Sequence, residues 1–153
     1  CIYLKFLYLG YLCFCFIFRP KVRGAYVVVI YNCNLLIIKN SYKKGWTLPC
    51  GMIDSGETES AGAKRELLEE VGISCEESDL QFLQMHLSTK GYKSDYQYFY
   101  LLAMNSSPKI KLDMREVIEY RWISKSEMEQ YSIPEGVRKV LSDHDSFIFK
   151  DNS

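Results

Sequence analysis

Neither an excess of one charge nor a metal-binding cysteine pattern marks this 153-residue chain. Nineteen basic residues balance nineteen acidic ones, which leaves no electrostatic footprint for duplex nucleic acid, whose binders usually carry a basic face. A small phosphorylated ligand needs only a local site, so the balance does not count against one. Six cysteines, Cys1, Cys13, Cys15, Cys33, Cys50 and Cys75, form no CxxC pair and no zinc-like spacing. They read as small hydrophobes in a reducing compartment. Histidine is scarce as well: His86 and His144 stand alone and read as structural or surface side chains rather than bases. There is no repeat and no low-complexity stretch.

The length admits one compact domain of the common size of about 100–150 residues. The opening needs separate treatment. Residues 1–18 hold a single charge, Lys5, and are otherwise apolar or aromatic. As helix they would span about 27 Å, just short of the roughly 30 Å of a bilayer's hydrocarbon core. Arg19, Lys21 and Arg23 follow at once, which by the positive-inside tendency would keep the rest cytoplasmic. Lys5 and three tyrosines speak against a span, and no small-residue cleavage pattern supports a signal peptide. Residues 1–20 are therefore expected to form an apolar helical segment, either a membrane anchor or membrane-lying helix, or one packed on the domain. The domain itself is expected over 21–145, cytoplasmic and membrane-associated only through 1–18, with a tail over 146–153.

Local patterns order the domain. Val22, Val27, Val28, Val29 and Ile30 predict a buried strand, Asn32-Cys33-Asn34 a turn, and Leu35 to Ile38 the returning strand of a hairpin. Trp46 to Pro49 reads as a short extended piece and 50–57 as a loop. Thr58 is a good N-cap for a helix from about Glu59 to Val71, stopped by Gly72. Its apolar Ala61, Leu68 and Val71 share a face, with Leu67 on the flank. Strands follow over Leu80–Thr89, Tyr96–Met104 and about Val117–Ile123. Helices over Ser124–Tyr131 and from Pro134 to about Ser142 close the chain. Strands interleaved with helices indicate a mixed α+β or α/β sandwich.

The chemistry concentrates on one helix. Glu66, Glu69 and Glu70 lie at i, i+3 and i+4, a spacing at which like charges weaken a helix by a few tenths of a kcal/mol per pair. A hard divalent cation would offset that clustering, since Mg²⁺ takes oxygen ligands and carboxylates bring both ligand and charge. Arg65 offers a planar donor fork able to fix the carboxylate of Glu66. By itself, E-x-x-E-E more often means a solvated acidic face. The wider spacing changes that weighting: G51-x5-E57-x7-R65-E66-L67-x-E69-E70-x-G72-I73. Seven specified letters at about 7% usage each coincide by chance on the order of 10⁻⁸ per position.

This pattern resembles the twenty-three-residue Nudix box at every fixed position, and Gly45-Trp46-Thr47-Leu48-Pro49 is similar to the family's lead-in strand. The resemblance covers residues 22 to about 142. It implies a Nudix-like α/β/α sandwich with a mixed sheet, and Mg²⁺-dependent (or Mn²⁺-dependent) hydrolysis of a phosphoanhydride bond in a small nucleotide-like diphosphate. By the same resemblance, Glu66, Glu69 and Glu70 bind metal, Glu66 activates water, Arg65 orients Glu66, and Glu57 supports the site. The backbone carbonyl of Cys50 joins the metal set, with Gly51 allowing close approach. Where the family often has Gly-Gly this chain has Cys50-Gly51, and the thiol narrows the loop. A fourth acidic ligand falls to Glu116, which should lie nearer the loop than Glu119. Gly62 inside the helix should cost about 1 kcal/mol relative to Ala unless something packs close. Trp46 and Tyr92 are candidates for substrate contact; Tyr96, Tyr98 and Tyr100 alternate along a strand and are weighted toward packing. Two other readings stay open: a non-catalytic nucleotide-binding module on the same fold, and isoprenoid diphosphate isomerase-like chemistry.

Overall fold

The computed structural model describes residues 2–18, 21–89 and 94–149. Helix α1 covers Ile2–Phe18; strands β1 (Lys21–Tyr31), β2 (Asn34–Asn40) and β3 (Cys50–Met52) follow, then helix α2 (Glu59–Val71). Strands β4 (Gln81–Ser88), β5 (Ser94–Met104) and β6 (Val117–Ile123) complete the sheet, and helices α3 (Glu135–Asp143) and α4 (Asp145–Ile148) end the described chain. The sheet runs β4-β5-β1-β2-β6, with β3 paired to β1 off that path. It is mixed: β1 and β5 are parallel, and the other pairings are antiparallel.

The valine run of β1 is continuous because both faces of the strand are covered. Ala25, Val27 and Val29 pack with Leu36 and Ile38 against Ala63, Leu67 and Val71 of α2. Val28 and Ile30 pack with Leu35 and Ile37 against Val137, Val140 and Leu141 of α3 and Ile148 of α4. The result is an α/β/α sandwich in which β1 is the central wall. Asn32 (φ 49°) and Cys33 (φ 59°) are both left-handed, which makes the β1–β2 connection a tight two-residue turn whose twist suits the hairpin.

Several expectations change in detail. Cys50–Met52, expected as loop, is strand, because its backbone completes an edge on Gly24–Tyr26. Residues 125–130 form 3-10 turns rather than α-helix. Ile148, within the expected tail, is buried in the α3-side core, so packing continues past residue 145. The buried stripe of α2 is Ala63, Leu67, Glu70 and Val71, whereas Leu68 is 52% exposed. Gly62 turns that face toward the box loop: a Cβ there would lie 3.1 Å from both Ile53 Cγ1 and Glu57 Oε2, so the close packing that justifies a helix glycine is present. The helix ends are as read. Thr58 Oγ1 accepts from Ala61 N at 3.1 Å, and Gly72 caps the C-terminus at φ 73°, its N–H bonded to Leu68 O. Among the described residues no helix is long and apolar enough to cross a membrane; α1 has 17 residues, about 25 Å at 1.5 Å each.

The shifted stripe makes an opposed pair of expectations. Leu67→Ala should destabilise the protein by about 2–5 kcal/mol in urea unfolding, and Leu68→Ala by less than about 0.5; equal losses would contradict the packing described.

Candidate active site

Strand β3 brings the box to the middle of the sheet. Ala25 pairs with Gly51 and Tyr26 with Cys50, while Val27 N donates to Pro49 O at 2.9 Å and Ile53 N to Arg23 O at 3.0 Å. The chain then loops back so that α2 lies across β3. At Gly51 the approach is so close that a Cβ would fall 1.9–2.2 Å from the Glu66 carboxylate, so no larger residue leaves room for Glu66 in its present position.

Arg65 is the hub of the box. Its Nε and Nη2 each donate to Glu57 at 3.0 Å, a bidentate pair, and Nη2 also reaches Met52 O at 2.8 Å. Nη1 donates to Glu66 Oε1 at 2.7 Å and to Glu69 Oε2 at 3.4 Å. Glu57 also accepts from Asp54 N at 2.9 Å. These bonds hold the Glu57 carboxyl below its ordinary value, with the Arg65 hydrogen bonds as the largest cause. Glu66 moves the other way: burial raises it, and Arg65 only partly opposes that.

Glu70 is buried, its Oε2 accepting from Cys50 N at 2.7 Å. Desolvation, together with the charges of Glu66 and Glu116, pushes its carboxyl up to about 8; the Cys50 amide and Lys43 oppose the rise. The Cys50 group that touches the box is thus its amide. Its thiol, 3.9 Å from Thr47 Oγ1, is pushed up to about 12 by desolvation.

The structure therefore brings Glu57, Arg65, Glu66, Glu70, Gly51 and Cys50 together. Glu69 sits on the rim with its side chain 59% exposed. Glu116 is exposed but within electrostatic reach of Glu66 and Glu70, whereas Glu119 is paired with Arg121 and Lys39. Among the described residues no three His, Cys, Asp or Glu side chains stand together as a ready metal cage; Glu66 is turned to Arg65 and Glu70 to Cys50. Trp46 lies edge-on to Tyr131, 5.5 Å between centroids, with Lys39 and Arg121 at 5.7 and 5.5 Å from its ring. Tyr98 and Tyr100 pack with the α2-side core. Tyr92 lies outside the described residues.

One feature was not foreseen from sequence. On the opposite side of Cys50 from the glutamates is a cavity of about 670 Å³, lined by Tyr26, Asn40, Trp46, Cys50 and Gln97, among others, with Lys43, Lys44 and Lys139 contributing. Lys43 faces both ways, since its charge also acts on Glu70 and Cys50. The dipeptide Lys43-Lys44 ahead of Trp46 was the available signal. His86 also lines this cavity, and His144 bonds Gln84 at 3.1 Å.

A NUDIX domain profile matches residues 20–144. The chain belongs to the NUDIX domain family. It is a Nudix hydrolase, of a family that acts on phosphoanhydride bonds and typically depends on a divalent metal. The chain is similar to the 8-oxo-dGTP diphosphatase of Buchnera aphidicola subsp. Schizaphis graminum, 25% identical over 134 residues that cover 84% of this chain and 98% of that protein. It is also similar to the RNA pyrophosphohydrolase of Erythrobacter litoralis, 28% identical over 124 residues, 67% of this chain and 75% of that one. The crystal structure of the MutT protein from Methanosarcina mazei superposes with a TM-score of 0.71 at 20% identity, covering 84% of this chain and 95% of that one; that likeness concerns the fold.

Two outcomes follow for the Nudix box. Gly51→Ala should displace Glu66 and lower turnover at least tenfold while the circular dichroism spectrum stays that of the parent; unchanged turnover would mean that Glu66 does not need its present position. The second concerns pH. With its carboxyl raised from 4.5 to about 8, Glu70 holds a proton in the folded chain that the unfolded chain has released. Its contribution is complete at low pH and is lost as pH rises through about 8. In chelator, the melting temperature should fall between pH 5 and 8 more steeply for the parent than for Glu70→Gln. Parallel curves would contradict the burial argument.

Proposed function

We propose that this Nudix protein is a Mg²⁺-dependent pyrophosphohydrolase of a nucleoside triphosphate, with Mn²⁺ as a substitute, in which the diphosphate meets the box and the nucleoside enters the cavity beyond Cys50. The observation that carries the reading is the clamping of Glu66 by Arg65, itself locked onto Glu57 and Met52 O.

The residues suit a divalent ion. Glu66 and Glu70 are both raised by desolvation and by neighbouring carboxylates, so a cation in reach of them, of Glu69 and Glu116 and of the Cys50 carbonyl would relieve unfavourable charge. Such an ion supplies neutralisation of the phosphate oxygens and easier deprotonation of water. Glu66, raised above its ordinary value by burial and held by Arg65, is suited to accept the proton of the attacking water. As the water oxygen bonds to phosphorus, the P–O bond to the bridging oxygen breaks, and the products leave as the nucleoside monophosphate and pyrophosphate. Arg65 keeps Glu66 aimed, Glu57 keeps Arg65 in place, and Lys43 offers a charge to the phosphates at the passage between box and cavity. Trp46 borders the nucleoside side.

The named relatives act on a nucleoside triphosphate and on RNA. Walls from β1, β5, α3 and the β2–β3 connection favour a single nucleotide over a continuing RNA strand, and an oxidised purine triphosphate such as 8-oxo-dGTP is the first substrate to try. The panel is 8-oxo-dGTP, the four dNTPs, ADP-ribose, a dinucleoside polyphosphate and a 5′-triphosphorylated RNA oligonucleotide, each with Mg²⁺ and with chelator. Hydrolysis should require Mg²⁺ and be greatest for a mononucleotide. Glu66→Gln should fold normally and lose about 10²–10⁴ in kcat. Equal turnover by that variant at saturating Mg²⁺ would overturn the role of Glu66, and preference for the RNA would overturn the substrate class. Nucleotide binding without turnover by the parent would instead favour a binding module.

A further inference from the structure

We propose that Tyr8 and Tyr11 of α1, a segment outside the family's domain, complete the outer wall of the nucleoside cavity and set its affinity for the base; the inference rests on the nucleotide reading of that cavity. Helix α1 precedes the matched residues 20–144. Tyr8 and Tyr11 both line the cavity, together with Tyr26 and Gln97 of the sheet.

The exposure of α1 shows how selective this contact is. Phe6, Leu7, Leu9, Phe16 and Ile17 are exposed, from 52% to 69%, whereas Tyr8 and Tyr11 are half-buried. An i, i+3 pair shares one helix face, and that face is the one turned to the cavity. Among the described side chains of α1, the two phenols are the half-buried ones, while the described phenylalanines and leucines are exposed.

Tyr8 is also attached to the phosphate side. Its ring centroid lies 5.6 Å from that of Tyr42, and Lys43 Nζ lies 5.9 Å from the Tyr8 ring and 5.3 Å from the Tyr42 ring. Tyr42 in turn feels the charges of Glu116, Glu70 and Glu66. Tyr8 therefore stands where the base-bearing part of an anionic ligand would leave the carboxylate box, beside the lysine that faces both compartments. A flat ring at that position can stack on any base, and a stacking contact is commonly worth about tenfold in affinity.

The test uses the full chain and three variants, Tyr8→Ala, Tyr8→Phe and Leu9→Ala, with hydrolysis of the best mononucleotide and of inorganic tripolyphosphate, which has no base. Calorimetric binding of the non-hydrolysable α,β-methylene analogue of that nucleotide is measured alongside. Tyr8→Ala should raise KM and Kd for the nucleotide about tenfold with kcat and melting temperature unchanged, and should leave tripolyphosphate kinetics as in the parent. Tyr8→Phe should restore most of the affinity, and Leu9→Ala should match the parent. If Tyr8→Ala binds the nucleotide as the parent does, or weakens both substrates equally, the tyrosine wall is refuted. If the parent itself fails to bind the analogue, the nucleotide reading of the cavity fails before α1 is in question.

Discussion

Arg65 is a single guanidinium set among the carboxylates of Asp54, Glu57, Glu66 and Glu69, at 3.8, 3.0, 2.7 and 3.4 Å. Among the described residues Glu57 and Glu66 have no other salt-bridge partner, so without Arg65 the half-buried charge of Glu66 would lose its ion pair. Removing one partner of a poorly solvated pair leaves the other charge uncompensated, which is costlier than the pair is favourable. The geometry of the box therefore depends on this side chain. Its planar fork spans a carboxylate on the loop, a backbone carbonyl on β3 and a carboxylate on its own helix at once, which a lysine ammonium could not do with the same directionality.

The sheet divides the site into two compartments. β3 adds to the edge of β1 at Gly24–Tyr26, and this places Cys50 and Gly51 as a thin partition. Glu66 presses on the Gly51 side, and the Cys50 amide bonds to Glu70. On the far side, Tyr26 stacks on Phe99, 4.8 Å between centroids, and lines the cavity with Gln97. One strand thus presents alternate residues to the α2 core and to the cavity, the ordinary consequence of a two-residue period. Cys50 in place of the family's frequent glycine is half-buried at this partition, its thiol held neutral by desolvation. It acts there as a small apolar filler.

The valines of β1, the Asn32-Cys33 turn, the Thr58 cap and the Gly72 stop were all legible, because each depends on local rules of strand burial, turn twist and helix termination. The inner face of α2 was misjudged by one position. Leu67 and Leu68 are equally apolar, and periodicity cannot choose between them when Gly62 and the buried Glu70 interrupt the stripe. β3 was hidden for a different reason: Cys-Gly-Met has no strand propensity, and it is extended only because β1 offers hydrogen bonds. Glu116 and Glu119 illustrate the same limit, since their different surroundings arise from Ser41 bonding to Glu116 O and Arg121 claiming Glu119.

By itself, the order of residues determined the family, the helix that carries the acids and the identity of its charges, since spacing along a helix converts directly into a shared face. It also determined the two-sided burial of β1, because a run of β-branched residues satisfies nothing else so well. Only the tertiary structure decided which carboxylates lose their water, which way Arg65 points, and that a cavity opens behind Cys50. Those outcomes depend on segments far apart in the chain, the β2–β3 connection, α3 and α1, meeting across the sheet. Desolvation is a property of that meeting, and no single stretch of sequence contains it.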